Sequence, residues 1–237
     1  PARTLGVFLP RWQQLDPPGR GMEALVAAIE QVQGVPVPAS ALESLILPAR
    51  VADYSPAMLD ELCASGEVVW AGAGTISRTD GWVTLAYADT ADLLLAPPDQ
   101  TLVRTPLHEA VLEALDGGQA LFFRVLADRL GADARAAGLD DAVLAEAIWD
   151  LVWGGWLTND TLTPLRALLA GGGAHRPRAS APRTRHRRPG RITLPSRGGP
   201  PSAAGRWSRL PEREPDVTRR TAALADVLVE RHEIGRA

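Results

Sequence analysis

Apolar positions recur at two spacings along this chain, and the two alternate in blocks. Met22, Leu25, Val26, Ile29 and Val32 follow the three-and-four spacing of a helix, and Gly34 with Pro36 ends the pattern. Residues 38–46, opened by Pro38 and closed by Pro48, predict a second short helix. Ser55 followed by Pro56 is an N-cap with proline at the first helical position, starting a third helix through Met58, Leu59 and Leu62 that Gly66 stops. The stretches 67–74 and 81–88 then predict two strands, with Thr79, Asp80 and Gly81 as turn residues between them. Three helices and a β-hairpin make a winged helix.

The order then repeats. Residues 106–115 and 120–130 predict two helices, Asp140 and Asp141 cap a third carrying Val143, Leu144, Ile148, Leu151 and Val152, and residues 156–160 predict a strand. The two third-helix endings align without a gap at an offset of 89 residues, pairing Leu59 with Ile148, Leu62 with Leu151, Gly66 with Gly155 and Val68 with Leu157. This repeat places the return strand of the second hairpin at 205–210, so the residues between, opened by a short helix at 161–169, become an enlarged wing. A last helical pattern runs through Val217, Ala222, Leu224, Leu228 and Val229. The expected fold is α+β, mostly helical, in tandem winged helices. Residues 1–21 are a helix or linker from a preceding domain, the units occupy 22–95 and 106–211, and 216–237 opens a third. Starting at Pro1 and stopping just after a helix pattern, the chain reads as a piece of a longer polypeptide.

Charge divides the chain as sharply as hydrophobicity does. Residues 1–160 carry 22 acids against 9 arginines, whereas residues 161–211 carry 11 arginines and no acid. The formal net charge of −3 hides an acidic body with one basic strip. Within the strip, residues 171–205 have too few large apolar side chains to offset the entropy of ordering, so a disordered insertion is expected there. Arg176, Arg178, Arg183, Arg185, Arg187, Arg188 and Arg191 are the candidate phosphate-contacting residues, because a wing ordinarily lies against a sugar-phosphate backbone. A variable solvated insertion is the competing reading, and aromatics for base stacking are missing from the strip until Trp207. The third helices carry or adjoin Glu61, Glu67, Asp140, Asp141, Glu146 and Asp150, the wrong charge for a major groove, so packing is their expected role.

Composition closes several routes to chemistry. All 25 basic residues are arginine, which excludes a P-loop lysine and a Schiff-base lysine within these residues. Cys63 stands alone, and His108, His175, His186 and His232 lack metal-ligand spacing, so no metal and no disulfide are expected. No apolar run would span a bilayer and no signal-peptide pattern opens the chain, which points to a cytoplasmic location without a membrane partner. The run GAGTIS at 72–77 resembles the start of a dinucleotide fingerprint, but Ser77 replaces the third glycine and a strand follows, which favours a wing turn. No GxSxG elbow is present, and His232-Glu233 lacks the second histidine of a zinc-protease motif. Trp149 and Trp153 share a helix face and suit a core or a seam between units, while Trp70 and Trp82 lie in the two hairpin strands and suit packing across it or base stacking.

Residues 8–15 (FLPRWQQL), 37–74 (VPASALESLILPARVADYSPAMLDELCASGEVVWAGAG), 147–169 (AIWDLVWGGWLTNDTLTPLRALL) and 205–211 (GRWSRLP) resemble the C-terminal region of the bacterial Lhr family, the large helicase-related superfamily 2 DNA helicases. The resemblance implies a parent with RecA-like ATPase domains that takes ATP and Mg, moves along single-stranded DNA, unwinds duplexes or RNA–DNA hybrids, and acts in DNA repair. It implies a C-terminal extension of tandem winged helices used in oligomer formation. The implied partners are single-stranded or forked DNA, the helicase core and other C-terminal domains of the parent, and further copies of itself. None of the helicase motifs occurs in these residues, so no cofactor is expected in this chain and no ATP hydrolysis by it alone. The same extension is similar to DNA glycosylases of the AlkZ/YcaQ type, whose winged helices present a glutamine-containing motif. Gln13 and Gln14, after Trp12, are the candidate catalytic residues in that reading, although the expected pair has one residue between its members. Three readings follow: a non-catalytic scaffold contacting DNA, a base-excision fragment, and an oligomerisation module.

Overall fold

The structure, a computed structural model, describes residues 10–13, 15–131, 140–171 and 199–232. In the first unit α1 (Gly21–Val32) turns Leu25, Ala28, Ile29 and Val32 into the core. β1 (Val37–Pro38) leads into α2 (Ala39–Ala41), which continues as a π-helical stretch, Leu42–Ile46. α3 (Pro56–Ala64) begins on proline and buries Leu59, Leu62 and Cys63; Ser55 holds its N-cap position in extended backbone, without a side-chain cap bond. The hairpin β2 (Val68–Thr75) and β3 (Gly81–Tyr87) follows, then α4 (Ala91–Leu94). Both strand pairs of the sheet are antiparallel and its order is β1-β3-β2.

The second unit repeats the design. α5 (Pro106–Ala114) is closed at its start by a reciprocal cap between Thr105 and His108. β4 (Leu121–Phe122), α6 (Phe123–Arg129), α7 (Asp141–Trp153) and β5 (Leu157–Asn159) follow. Asp140 caps α7 by accepting from the Val143 amide at 2.8 Å. Then come α8 (Thr163–Leu169), a 3-10 turn at Pro201–Ala203 and β6 (Arg206–Arg209). The sheet order β4-β6-β5 matches that of the first unit.

The repeat seen in the sequence is a repeat in space. Val68 and Leu157 each open the strand that follows the third helix, which lies at an edge of its unit's sheet. Gly66 and Gly155 each turn the chain out of the third helix at φ of 82° and 73°, a conformation that side-chain-bearing residues avoid. A third strand in each sheet, β1 and β4, adds to the expected hairpin, and residues 120–130 therefore divide into β4 and α6 instead of forming one helix. Two-residue strands are too short for a period to register.

The expected disordered insertion is corrected at its end. Residues 199–205 are ordered because three donors of the core need acceptors there. Trp149 Nε1 donates to the Ser202 carbonyl at 2.8 Å, Trp207 Nε1 to Ala203 at 3.1 Å, and Asn159 Nδ2 to Ala204 at 3.0 Å. Residues 172–198 lie outside the described residues.

One hydrophobic core runs through both units. Trp149 is its centre, with ring centroids 6.4 Å from Trp70, 5.3 Å from Trp153 and 5.8 Å edge-on from Trp207. The far face of the first sheet is closed by Ala91, Leu95 and Leu210 against Ala71 and Ala86. α9 (Val217–His232) lies back along α4 and α1, where Arg231 donates to the Gln31 and Gln33 carbonyls, and leaves Val217, Leu228 and Val229 exposed. No helix among the described residues is long and apolar enough to cross a membrane.

Candidate nucleic-acid interface

A winged helix that reads DNA does so with an exposed, polar third helix. Both third helices here are occupied. α7 buries Leu144, Ala145, Ala147, Ile148, Trp149, Leu151, Val152 and Trp153, since it is wedged between its own unit and the first hairpin. At Gly72 a Cβ atom would stand 2.2 Å from the Val152 carbonyl oxygen, so only glycine permits this approach. Trp70 Nε1 donates to the Asn159 carbonyl at 3.0 Å and Thr158 Oγ1 donates to the Trp70 carbonyl at 2.7 Å, joining β2 to β5. What α7 leaves exposed is Ala142, Val143, Glu146 and Asp150, without a cation.

α3 is held at Asp60 by the enlarged wing of the second unit, while Pro56, Ala57, Glu61 and Ala64 stay exposed. Arg166 on α8 reaches Glu43 Oε2 with Nε at 2.6 Å and Asp60 Oδ2 with Nη1 at 2.7 Å, and its Nη2 donates to Glu43 Oε1 at 2.8 Å. The Leu162 amide adds a bond to Asp60 Oδ1 at 2.8 Å, and the Tyr54 hydroxyl donates to Glu43. The three charged side chains keep only 26%, 17% and 23% of their surface, for Arg166, Glu43 and Asp60. Burial by itself lowers the Arg166 pKa, and the bonds from Glu43 and Asp60 more than reverse it, so the guanidinium stays charged. Burial, then the Glu43 bond, push the Tyr54 hydroxyl up. Asp60 is thus committed to a latch between units. The latch has no local spacing signal, because Glu43, Asp60 and Arg166 meet only through the tertiary fold.

α8 and the 3-10 turn pack together as an ordered root for the basic insertion, which leaves after Gly171 and returns at Gly199. The strip's three described arginines are each paired with a carboxylate: Arg166 as above, Arg206 with Asp160 at 2.6 Å, and Arg209 with Asp116 at 2.7 Å. The seven candidates Arg176, Arg178, Arg183, Arg185, Arg187, Arg188 and Arg191 lie outside the described residues.

Gln13 and Trp12 are brought together at the end of α9. Trp12 Nε1 donates to the Arg231 carbonyl at 2.9 Å and Gln13 Nε2 donates to the same oxygen at 2.7 Å, satisfying a carbonyl of the final helical turn. Gln14 lies outside the described residues. His108 is buried, with Nδ1 accepting from the Thr105 amide at 3.1 Å and Nε2 3.4 Å from Asp150. No group of three or more potential metal ligands occurs among the described residues.

A groove of about 1100 Å³ opens between α1, the end of β3 and α9. Glu30, Glu67, Asp89, Asp226 and Glu230 line it, a field that repels phosphate. Burial, then Glu30, Glu67 and Asp89, push the Tyr87 hydroxyl in this groove up to about 12. The expected packing of Trp70 on Trp82 is corrected by the register, which sets Trp70 opposite Leu85 and Trp82 opposite Pro38. Trp70 is fully buried and Trp82 is exposed.

Residues 1–88 match the family model of the large helicase-related protein winged-helix domain. The chain is 47% identical over 236 residues to the Lhr helicase/probable uracil glycosylase of Mycolicibacterium smegmatis, covering 96% of this chain and 15% of that protein. It is 37% identical over 221 residues to the Lhr helicase/uracil glycosylase of Escherichia coli, covering 90% of this chain and 14% of that protein. The chain therefore spans about one seventh of the length of these curated relatives. With a repeated winged-helix architecture, a family model over the first unit and two such relatives along nearly its whole length, the chain belongs to the winged-helix region of the Lhr large helicase-related family.

Proposed function

We propose that this chain is a non-catalytic winged-helix scaffold of an Lhr-type ATP-dependent DNA helicase, contacting DNA through the arginine-rich insertion of its second wing. The observation that carries the reading is the state of the third helices: one is wedged into the seam and the other is tied to α8 at Asp60, and both leave acidic residues outward. Reading of a major groove is thereby withdrawn, and the cations remaining in the basic strip sit in an insertion rooted on a packed base. ATP, Mg and translocation belong in this reading to the parent, with the helicase core and other C-terminal domains as partners and DNA repair as the setting. The test is single-stranded DNA binding against salt concentration, comparing the chain with a variant lacking residues 174–204. Steeply salt-dependent binding lost on deletion supports the scaffold, and binding by neither version leaves an assembly module.

Both relatives carry uracil glycosylase in their names, which favours a second reading as part of a base-excision module. The Gln13 amide is bound to α9, so this residue serves the helix end in either reading. Release of free uracil from uracil-containing DNA by the chain, lost in Gln14→Ala and kept in a matched surface variant, would establish the second reading.

A further inference from the structure

At the tip of the first unit's hairpin, Thr75, Ile76, Ser77 and Arg78 are exposed. Its turn is closed by the Ile76 and Ser77 amides, both donating to the Asp80 carbonyl at 2.9 Å. The Asp80 carboxylate accepts from the Ser40 amide at 3.2 Å, the Ser40 hydroxyl at 2.6 Å and the Gly81 amide at 2.9 Å. These bonds tie the wing to α2 and compensate the one acid of its turn. Beside the turn, a Cβ on Gly81 would lie 2.6 Å from the Trp153 ring, so this end of the hairpin rests directly on α7. Outward it presents Ile76 at 47% exposure and Trp82 at 39%, the one exposed tryptophan of the seven. Arg78, also exposed, has no carboxylate partner among the described residues.

An indole face, a branched apolar tip and a free guanidinium on a braced hairpin match the chemistry of an unpaired nucleic-acid strand. The ring takes a base face and the cation takes a phosphate, a contact that tolerates any sequence. Asp80 is engaged by Ser40 and Gly81, which leaves the Arg78 guanidinium as the outward charged group of the tip, suited to a phosphate. We infer that the first wing is a second DNA contact, at which Trp82 stacks on a base of a single strand and Arg78 binds an adjacent phosphate. This rests on the scaffold reading but uses residues separate from the insertion.

The test is anisotropy of labelled oligothymidine, and of a strand of the same length built from abasic residues, with the full chain. Trp82→Ala should weaken binding of the base-bearing strand roughly five- to a hundredfold, the worth of one stacked base, and leave the abasic strand unchanged. Trp82→Phe should keep most of the affinity. Arg78→Ala should weaken both strands alike and flatten the logarithmic salt slope by about 0.7. Trp82→Ala acting equally on both strands, or on neither, overturns the wing contact. The deletion of 174–204 is scored separately. Binding lost on that deletion with no Trp82 dependence upholds the insertion and refutes the wing, whereas binding that survives deletion and stays Trp82-dependent does the reverse. Absence of any binding by the full chain at low salt overturns both.

Discussion

Arg166→Ala should separate the two units energetically. The side chain spans from the second wing to the π-helical stretch after α2 and to α3, and its removal leaves Glu43 and Asp60 with 17% and 23% of their surface in water and no cation. Breaking a fully buried ion pair costs about 3–5 kcal/mol, and an exposed pair contributes about 0–1 kcal/mol. With roughly three quarters of each side chain out of water and two carboxylates orphaned, about 3 kcal/mol is expected. In a domain of this size that lowers the melting temperature by about 6–12 °C. Urea denaturation followed by tryptophan fluorescence reads the change, since the rings of Trp70 and Trp149 lie on either side of the same seam. Arg166→Lys should recover only a minor part, because one ammonium cannot serve two carboxylates in the forked geometry. Arg166→Met combined with Glu43→Gln and Asp60→Asn should be milder than Arg166→Met alone, because no unpaired charge remains. A loss below about 0.5 kcal/mol for Arg166→Ala would refute the latch as a stabilising element.

Other consequences are as direct. Gly72→Ala should cost about 3 kcal/mol or more in denaturant titration, since its Cβ would collide with the Val152 carbonyl at 2.2 Å and nothing flexible can give way. Trp149→Phe removes the donor to Ser202 and should cost about 1–2 kcal/mol, with faster amide exchange at 199–205. Burial, then Asp60, push the Cys63 thiol up to about 12 from an ordinary 9.0, so the native thiol should resist a thiolate-selective reagent at pH 9 and react once urea unfolds the chain. Because the folded value is the higher one, the stability linked to Cys63 is complete below pH 9 and is lost as pH rises toward about 12. A Cys63→Ala variant should lose less stability over that window.

The sequence by itself determined the order of helices and hairpin in the first unit, the repeat, and the charge division, but not the short strands β1 and β4. Leu59, Leu62, Gly66 and Val68 recur as Ile148, Leu151, Gly155 and Leu157, and both sets form a third helix, a left-handed turn and a strand. These are local signals, carried by periodicity and by glycine, and they survive without knowledge of any partner. The return strand β6 was legible only through the repeat, because nothing within 205–210 distinguishes it from other short polar stretches. The acidic character of the third helices was legible too, and with it their unsuitability for a groove.

Tertiary structure decided how the third helices are occupied and which charged groups remain free. Glu43, Asp60 and Arg166 are separated by up to 123 residues, and no spacing rule reaches across such a gap. Residues 199–205 read as structureless by composition, yet buried Trp149, Trp207 and Asn159 need carbonyl partners, and that demand arises only once the core has closed. Trp70 and Trp82 look alike in the sequence, one on each strand of a hairpin. Their fates differ because strand register sends Trp70 into the seam with Trp149 and leaves Trp82 exposed opposite Pro38 of β1. Periodicity reports which face of an element is apolar; what covers that face, and what stays open to solvent, is fixed by the packing of one unit on the next.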